Sequence, residues 1–130
     1  MISFVKYSPD TGEILSRGIA STESEALLSE KQGVAVLFNK EQKPVSDITH
    51  YVDIRSNEIK NKIENPTVSD GKKLTNMPQG CFLTAIGPSI VNTETEDSQF
   101  LLQDVPSGRY TVKVKPKDPK YLQAKFYLKV

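Results

Sequence analysis

The stretch Ser98-Gln99-Phe100-Leu101-Leu102-Gln103-Asp104-Val105-Pro106-Ser107-Gly108-Arg109-Tyr110-Thr111-Val112-Lys113-Val114-Lys115 decides how this chain folds. Phe100 and Leu102 alternate before the Pro106–Gly108 corner, and Tyr110, Val112 and Val114 alternate after it. A period of two with one apolar face is the pattern of half-buried antiparallel strands. Pro106 fixes φ at a turn position and Gly108 is free to take φ > 0, so Val-Pro-Ser-Gly turns the chain for a physical reason. The expectation is a hairpin within a β-sandwich.

Working outward, turn residues recur roughly every 8–12 positions, the spacing that short sandwich strands produce. Upstream, Cys81 to Ile86 is a strand that stops at Gly87-Pro88, a short strand around Ile90-Val91 follows, and Thr93 to Asp97 is an acidic loop. Downstream, a last strand from Tyr121 to Val130 follows Pro116 and Pro119. Near the N-terminus, Ile2–Tyr7 and Glu13–Arg17 flank the turn Ser8-Pro9-Asp10-Thr11-Gly12 and predict a hairpin. Thr22 and Glu25 stand in capping-box spacing ahead of Ala26, Leu27 and Leu28, which predicts a helix of two to three turns ending at Gly33. Val34 to Phe38 is continuously apolar and reads as a strand buried on both faces. Thr49–Val52 and Glu58–Lys62 predict a second hairpin, an exposed ribbon poor in apolar residues and kept soluble by Lys60 and Lys62.

The fold class expected is therefore mainly β: N-terminal β-hairpins with one short helix over residues 1–65, then a C-terminal immunoglobulin-like antiparallel β-sandwich over residues 66–130, divided at Asn65-Pro66. Tyr110 stands just after the turn that opens a late strand. In immunoglobulin-like sandwiches that is the place of a tyrosine corner, whose hydroxyl bonds back to the connecting backbone.

At 130 residues a chain of this size buries roughly two-thirds of its unfolded surface, enough for a core without disulfides. The net charge of +1 announces no polyanion, membrane or acidic substrate. Residues 1–65 hold eight Lys/Arg against ten Asp/Glu, and residues 66–130 hold nine against six. A lone cysteine, Cys81, fits a reducing compartment and reads as a small buried hydrophobe. No leader pattern and no apolar stretch of bilayer length occur, so a soluble protein without export signal is expected.

Reacting groups are scarce. His50 is the sole histidine, and its neighbours Ser46, Asp47 and Asp53 lie too close along one strand to converge on one reacting atom. One His and one Cys do not make a zinc site. Glu94, Glu96 and Asp97 lack the spacing of a calcium loop, and no glycine-rich phosphate loop is present. No enzyme, no cofactor and no metal are expected. The charged feature that stands out is Lys113, Lys115, Lys117, Lys120, Lys125 and Lys129 among Tyr110, Tyr121, Phe126 and Tyr127. It reads as the wet face of a sandwich, with a polyanion-binding face as the alternative.

The pattern from Phe100 to Tyr121, Phe-x-Leu-x-x-Val-Pro-x-Gly-x-Tyr-x-Val-x-Val and then Tyr, resembles the closing strands of transthyretin-like and carboxypeptidase-regulatory-like immunoglobulin-fold domains, across about a sixth of the chain. Further landmarks are the Thr11-Gly12-Glu13-Ile14 turn, Tyr51-Val52-Asp53 with Asn57-Glu58-Ile59, Asp70-Gly71, Leu74, Pro78-Gln79-Gly80-Cys81, Gly108, Tyr110 and Tyr121-Leu122. Together they resemble small virion structural proteins of tailed bacteriophages. This chain departs from them in its richness in Lys and Asn and in the longer acidic loop from Thr93 to Asp97.

The resemblance implies a non-enzymatic structural protein of the virion, assembled in the host cytoplasm, associated with a tail or tail fibre and acting by protein-protein docking, with residues 1–65 as the docking region and the C-terminal sandwich projecting outward. Its partners would be other virion subunits in a larger oligomeric assembly, with no membrane and no nucleic acid. The alternatives are a capsid decoration protein, or a module gripping a polysaccharide such as a host-surface glycan through the C-terminal Lys/Tyr face. Candidate interaction residues are Tyr51, Ile59 and Lys60 on the ribbon and Lys113, Lys115 and Tyr121 on the sandwich.

Overall fold

A computed structural model describes residues 1–130. The chain is mainly β and forms two compact units, Met1–Lys62 and Ile63–Val130.

In the first unit, β1 (Ile2–Tyr7) is the centre of an antiparallel sheet, flanked by β2 (Ile14–Ala20) and β3 (Ala35–Phe38). Because β1 alternates and both its faces are covered, it feeds two clusters. Phe4 packs with Ala20, Ala26, Val36 and Phe38 beneath the helix α1 (Glu23–Leu27). Val5 and Tyr7 pack with Ile14, Val45 and Val52 beneath a ribbon of β4 (His50–Asp53) and β5 (Glu58–Asn61). A valine, isoleucine or phenylalanine among them contributes about 1.5–3 kcal/mol when fully buried. Gly18 lies directly opposite Phe4 and leaves room for its ring, since a Cβ there would stand 2.6 Å from Cζ.

Three expectations are corrected in this unit. The helix has five residues rather than two to three turns. Thr22 Oγ1 accepts the amide of Glu25 at 3.1 Å as a cap should, and the Glu25 carboxylate takes the amide of Ser21 at 3.2 Å. Beyond Leu28 the chain offers Ser29, Glu30, Lys31 and Gln32, with nothing apolar to extend the stripe that buries only Ala26. Gly33 instead forms the turn of a Lys31–Val34 bridge. The apolar run at Val34 to Phe38 gives an edge strand, half-buried at every position, because it pairs only with β1. Nor is the ribbon a bare exposed one: Val52 and Ile59 are directly opposed, Val52 is completely buried, and Ile59 packs against the same cluster. One apolar cross-strand pair is enough to seat a hairpin of two four-residue strands.

The second unit is a sandwich of a three-stranded and a four-stranded antiparallel sheet. The small sheet orders β10 (Phe100–Leu101), β7 (Lys73–Thr75) and β6 (Val68–Asp70). The large one orders β12 (Ala124–Lys129), β11 (Arg109–Pro116), β8 (Cys81–Ile86) and β9 (Ile90–Thr95). Leu74, Met77 and Leu102 meet Cys81, Leu83, Ala85, Tyr110, Val112, Val114 and Leu128 in one core. The chain crosses between the sheets three times, from β7 to β8, from β9 to β10 and from β10 to β11.

The deciding stretch is therefore half right. Its residues alternate as expected, but it is no hairpin: β10 pairs with β7, while β11 pairs with β8 and β12. Alternation reports which side of a strand is wet and is silent on its neighbour. At this corner Asp104 takes φ 59° and Pro106 has no amide to donate, so the ladder is broken and the chain switches sheets. The tyrosine corner is present, with the Tyr110 hydroxyl donating to the carbonyl of Pro106 at 2.7 Å and lying 3.3 Å from Ser89 Oγ. Two further boundaries move. β9 runs on through Thr95, taking in much of the expected acidic loop, and the last strand starts at Ala124, because Tyr121 closes a turn onto Asp118 and bridges to Ile63.

Candidate interaction surface

On the outward face of the large sheet the ladder registers align side chains into rows. One row runs Ile90, Ile86, Thr111, Tyr127 across all four strands. Three of its members are large and open, Ile90 at 68%, Ile86 at 45% and Tyr127 at 77% of full exposure. The next row along the strands is Asn92, Thr84, Lys113, Lys125, and on the other side of the apolar row stands the pair Arg109 and Lys129. An apolar stripe is thus bracketed by cations. The two cation rows lie four residues apart along β11, about 13 Å.

Both cation pairs are directly opposed across the β11–β12 ladder, an arrangement that repels. Their natural relief, a nearby acid, is missing. Glu94 and Glu96 are both engaged by Lys117, at 3.0 and 2.6 Å, and Lys117 also stands 5.3 Å from the centre of the Phe82 ring. Hydrogen bonds to Glu96 and then Glu94 hold the Lys117 ammonium above the ordinary lysine range. Arg109, Lys113, Lys125 and Lys129 have no ion-pair partner.

The six sequence-predicted residues are divided between the two units, three in each. Lys113 and Lys115 share the outward face of β11, both exposed. Tyr121 lies ahead of β12, half-buried, with Lys120 Nζ 5.1 Å from its ring centre. Tyr51 and Lys60 are paired across the ribbon of the first unit, and Ile59 is turned into that unit's core. The residues that sequence reading missed are Ile86 and Ile90. Only one weak signal marked them: β8 is apolar at outward as well as inward positions, as Phe82 and Ile86 show beside Leu83 and Ala85.

His50 lines an open groove of about 460 Å³ with Leu37, Asn57, Ile59 and Asn61. Its Nδ1 lies 2.7 Å from Thr49 Oγ1 and faces the Ser46 amide at 3.4 Å. Ser46 Oγ accepts the amide of Ile48, and Asp53 binds Lys60 and the amide of Arg55. Cys81 is fully buried and donates its S–H to the carbonyl of Pro78 at 3.3 Å. Burial, reinforced by Glu96 and opposed by Lys117, pushes its thiol up.

The Asp53–Lys60 pair, 2.7 Å long, yields a pH prediction. The hydrogen bond from Lys60 lowers the Asp53 pKa, and the same bond raises that of Lys60. A depressed carboxylate stabilises above its unfolded pKa and stops doing so as pH falls through the folded one. Asp53→Asn is expected to lower the thermal midpoint slightly at neutral pH, the pair being solvent-screened. The gap from the wild type should close below the usual aspartate range. A gap that stays constant into acid would show that the pair contributes nothing.

No family model matches the chain, and searches of curated proteins and of solved structures return no significant match.

Proposed function

We propose that this chain is a non-enzymatic structural subunit that works by protein-protein docking, in a virion and associated with its tail or tail fibre. The observation that carries the docking is the exposed row of Ile90, Ile86 and Tyr127 on a regular sheet face. Apolar and aromatic centres within a charged rim are how protein interfaces are composed. The virion setting rests on the sequence resemblance. The non-enzymatic part draws on His50, whose near neighbours Ser46 and Asp53 are committed to other bonds.

The test is a double variant, Ile86→Lys with Ile90→Lys, produced alongside the natural neighbours of the chain. Both positions are exposed, so the thermal midpoint should hardly move. Incorporation into the assembled particle should fall by about tenfold or more. Normal incorporation would overturn the docking reading. The rival, a polysaccharide- or polyanion-binding module using Lys113 and Lys115, predicts instead a steep loss of binding with salt.

A further inference from the structure

The sheet that carries the apolar row ends at β12, and that edge is open. Just before it, Ile63 pairs in parallel with the chain, donating its amide to Lys120 at 2.7 Å and accepting that of Leu122 at 2.8 Å, while Asn65 Nδ2 donates to the Leu122 carbonyl at 3.1 Å. The N-terminal segment then leaves to pair as β6 with β7. From Ala124 to Lys129, six residues with no Pro and no bulge, β12 pairs on one side only. Its inward residues Ala124 and Phe126 remain half-buried at the rim of the core.

We infer that the β12 edge receives an extended acidic segment of a partner protein as a fifth strand, with an acid beside Lys125, an apolar residue beside Tyr127 and an acid beside Lys129. This rests on the docking reading and names the chemistry of the partner. Each row on the outward face dictates its own continuation. The rows ending in Lys113–Lys125 and in Arg109–Lys129 each close on two like charges, which an acid on the next strand relieves. The row between them ends in Tyr127 and continues with an apolar contact. On the inward side, apolar residues of the added strand cover Phe126. Main-chain hydrogen bonds supply adhesion, and alternate side chains supply selectivity.

The same lysines disfavour a second copy paired about Tyr127, since that antiparallel register sets Lys125 opposite Lys129 twice over. A polysaccharide or nucleic acid meets the charge but has no amide ladder to offer, which gives the test its discriminating arm.

The experiment titrates the full chain, isotopically labelled, with the peptide Thr-Glu-Val-Ile-Val-Glu-Thr, with its counterpart carrying lysine for both glutamates, with a version N-methylated at alternate amides, and with polyglutamate. Expected are exchange protection of the Ala124–Lys129 amides, about tenfold tighter binding of the glutamate peptide than of the lysine peptide, and loss of binding on N-methylation. A chain carrying Lys125→Glu and Lys129→Glu, both exposed, should invert the preference. Equal affinity for the two peptides, protection away from β12, or polyglutamate binding as tightly as the alternating peptide would each overturn the inference. Should the peptide fail while the Ile86/Ile90 variant is still lost from particles, docking stands and the edge assignment falls. Should the variant incorporate normally while the peptide adds to β12, the edge assignment stands and docking through the apolar row falls.

Discussion

Gly12→Ala is expected to destabilise the first unit by about 3 kcal/mol or more. Two costs coincide at this position. The backbone takes φ 87°, a left-handed conformation that a Cβ penalises. A Cβ would also be driven into the carbonyl oxygen of Val52, which is main chain and has no rotamer by which to yield. The turn cannot simply retreat, because the Gly12 carbonyl accepts the Val52 amide at 2.9 Å, and Val52 is the residue through which β4 is buried. Gly33→Ala separates the two costs. It shares the left-handed φ, at 77°, but nothing lies within 4 Å of its missing Cβ, so it should cost only about 1–2 kcal/mol. Denaturant unfolding with amide exchange read at His50–Asp53 checks both. Equal losses at the two glycines would mean that the turn does not clamp the ribbon.

That clamp marks the limit of what sequence reading reaches. The Gly12 turn was legible because Ser-Pro-Asp-Thr-Gly stands between alternating segments, and Gly12 takes the positive φ that a glycine permits, at 87°. That the carbonyl of Gly12 would be spent on β4, 40 positions away, is a tertiary fact with no local signature. The hairpin expected at Ser98–Lys115 failed for the same reason. Phe100, Leu102, Tyr110 and Val112 do face the core, yet strand partnership depends on which sheet each side of the corner joins. The Val34 to Phe38 run misled in the opposite sense, since apolar residues on both sides of an edge strand meet two different clusters without full burial of any.

The candidate surface divides along the same line. Lys113 and Lys115 were legible as a wet face because they alternate with Val112 and Val114. Ile86 and Ile90 were not, since an outward isoleucine on an apolar strand looks like an inward one until the ladder fixes its neighbours as Thr111 and Tyr127. The meaning of the lysines changed with register too. Read singly, Lys125 and Lys129 are ordinary edge protection. Read across the ladder, opposite Lys113 and Arg109, they are two uncompensated pairs.

Tyr110→Ala is expected to cost the second unit about 3–5 kcal/mol, the range for deleting a buried aromatic ring. Tyr110→Phe should cost only about 1 kcal/mol. The ring is the larger part because it lies flush against bare backbone: a Cβ at Gly87 would stand 2.7 Å from Cδ1 and 2.9 Å from Cγ. At 1% exposure, with Leu83, Val112 and Leu128 in the same core, its loss leaves a void that the sheets cannot close without moving the corner. The hydroxyl is the smaller part because Pro106, whose carbonyl it holds at 2.7 Å, is exposed, and water can replace the bond in the variant. The two variants therefore weigh packing against tethering at the single point where β10 gives way to β11. Unfolding midpoints in denaturant settle it. A Phe variant as damaged as the Ala variant would assign the corner to its hydrogen bond, and a Phe variant indistinguishable from the wild type would reduce Tyr110 to a core side chain like its neighbours.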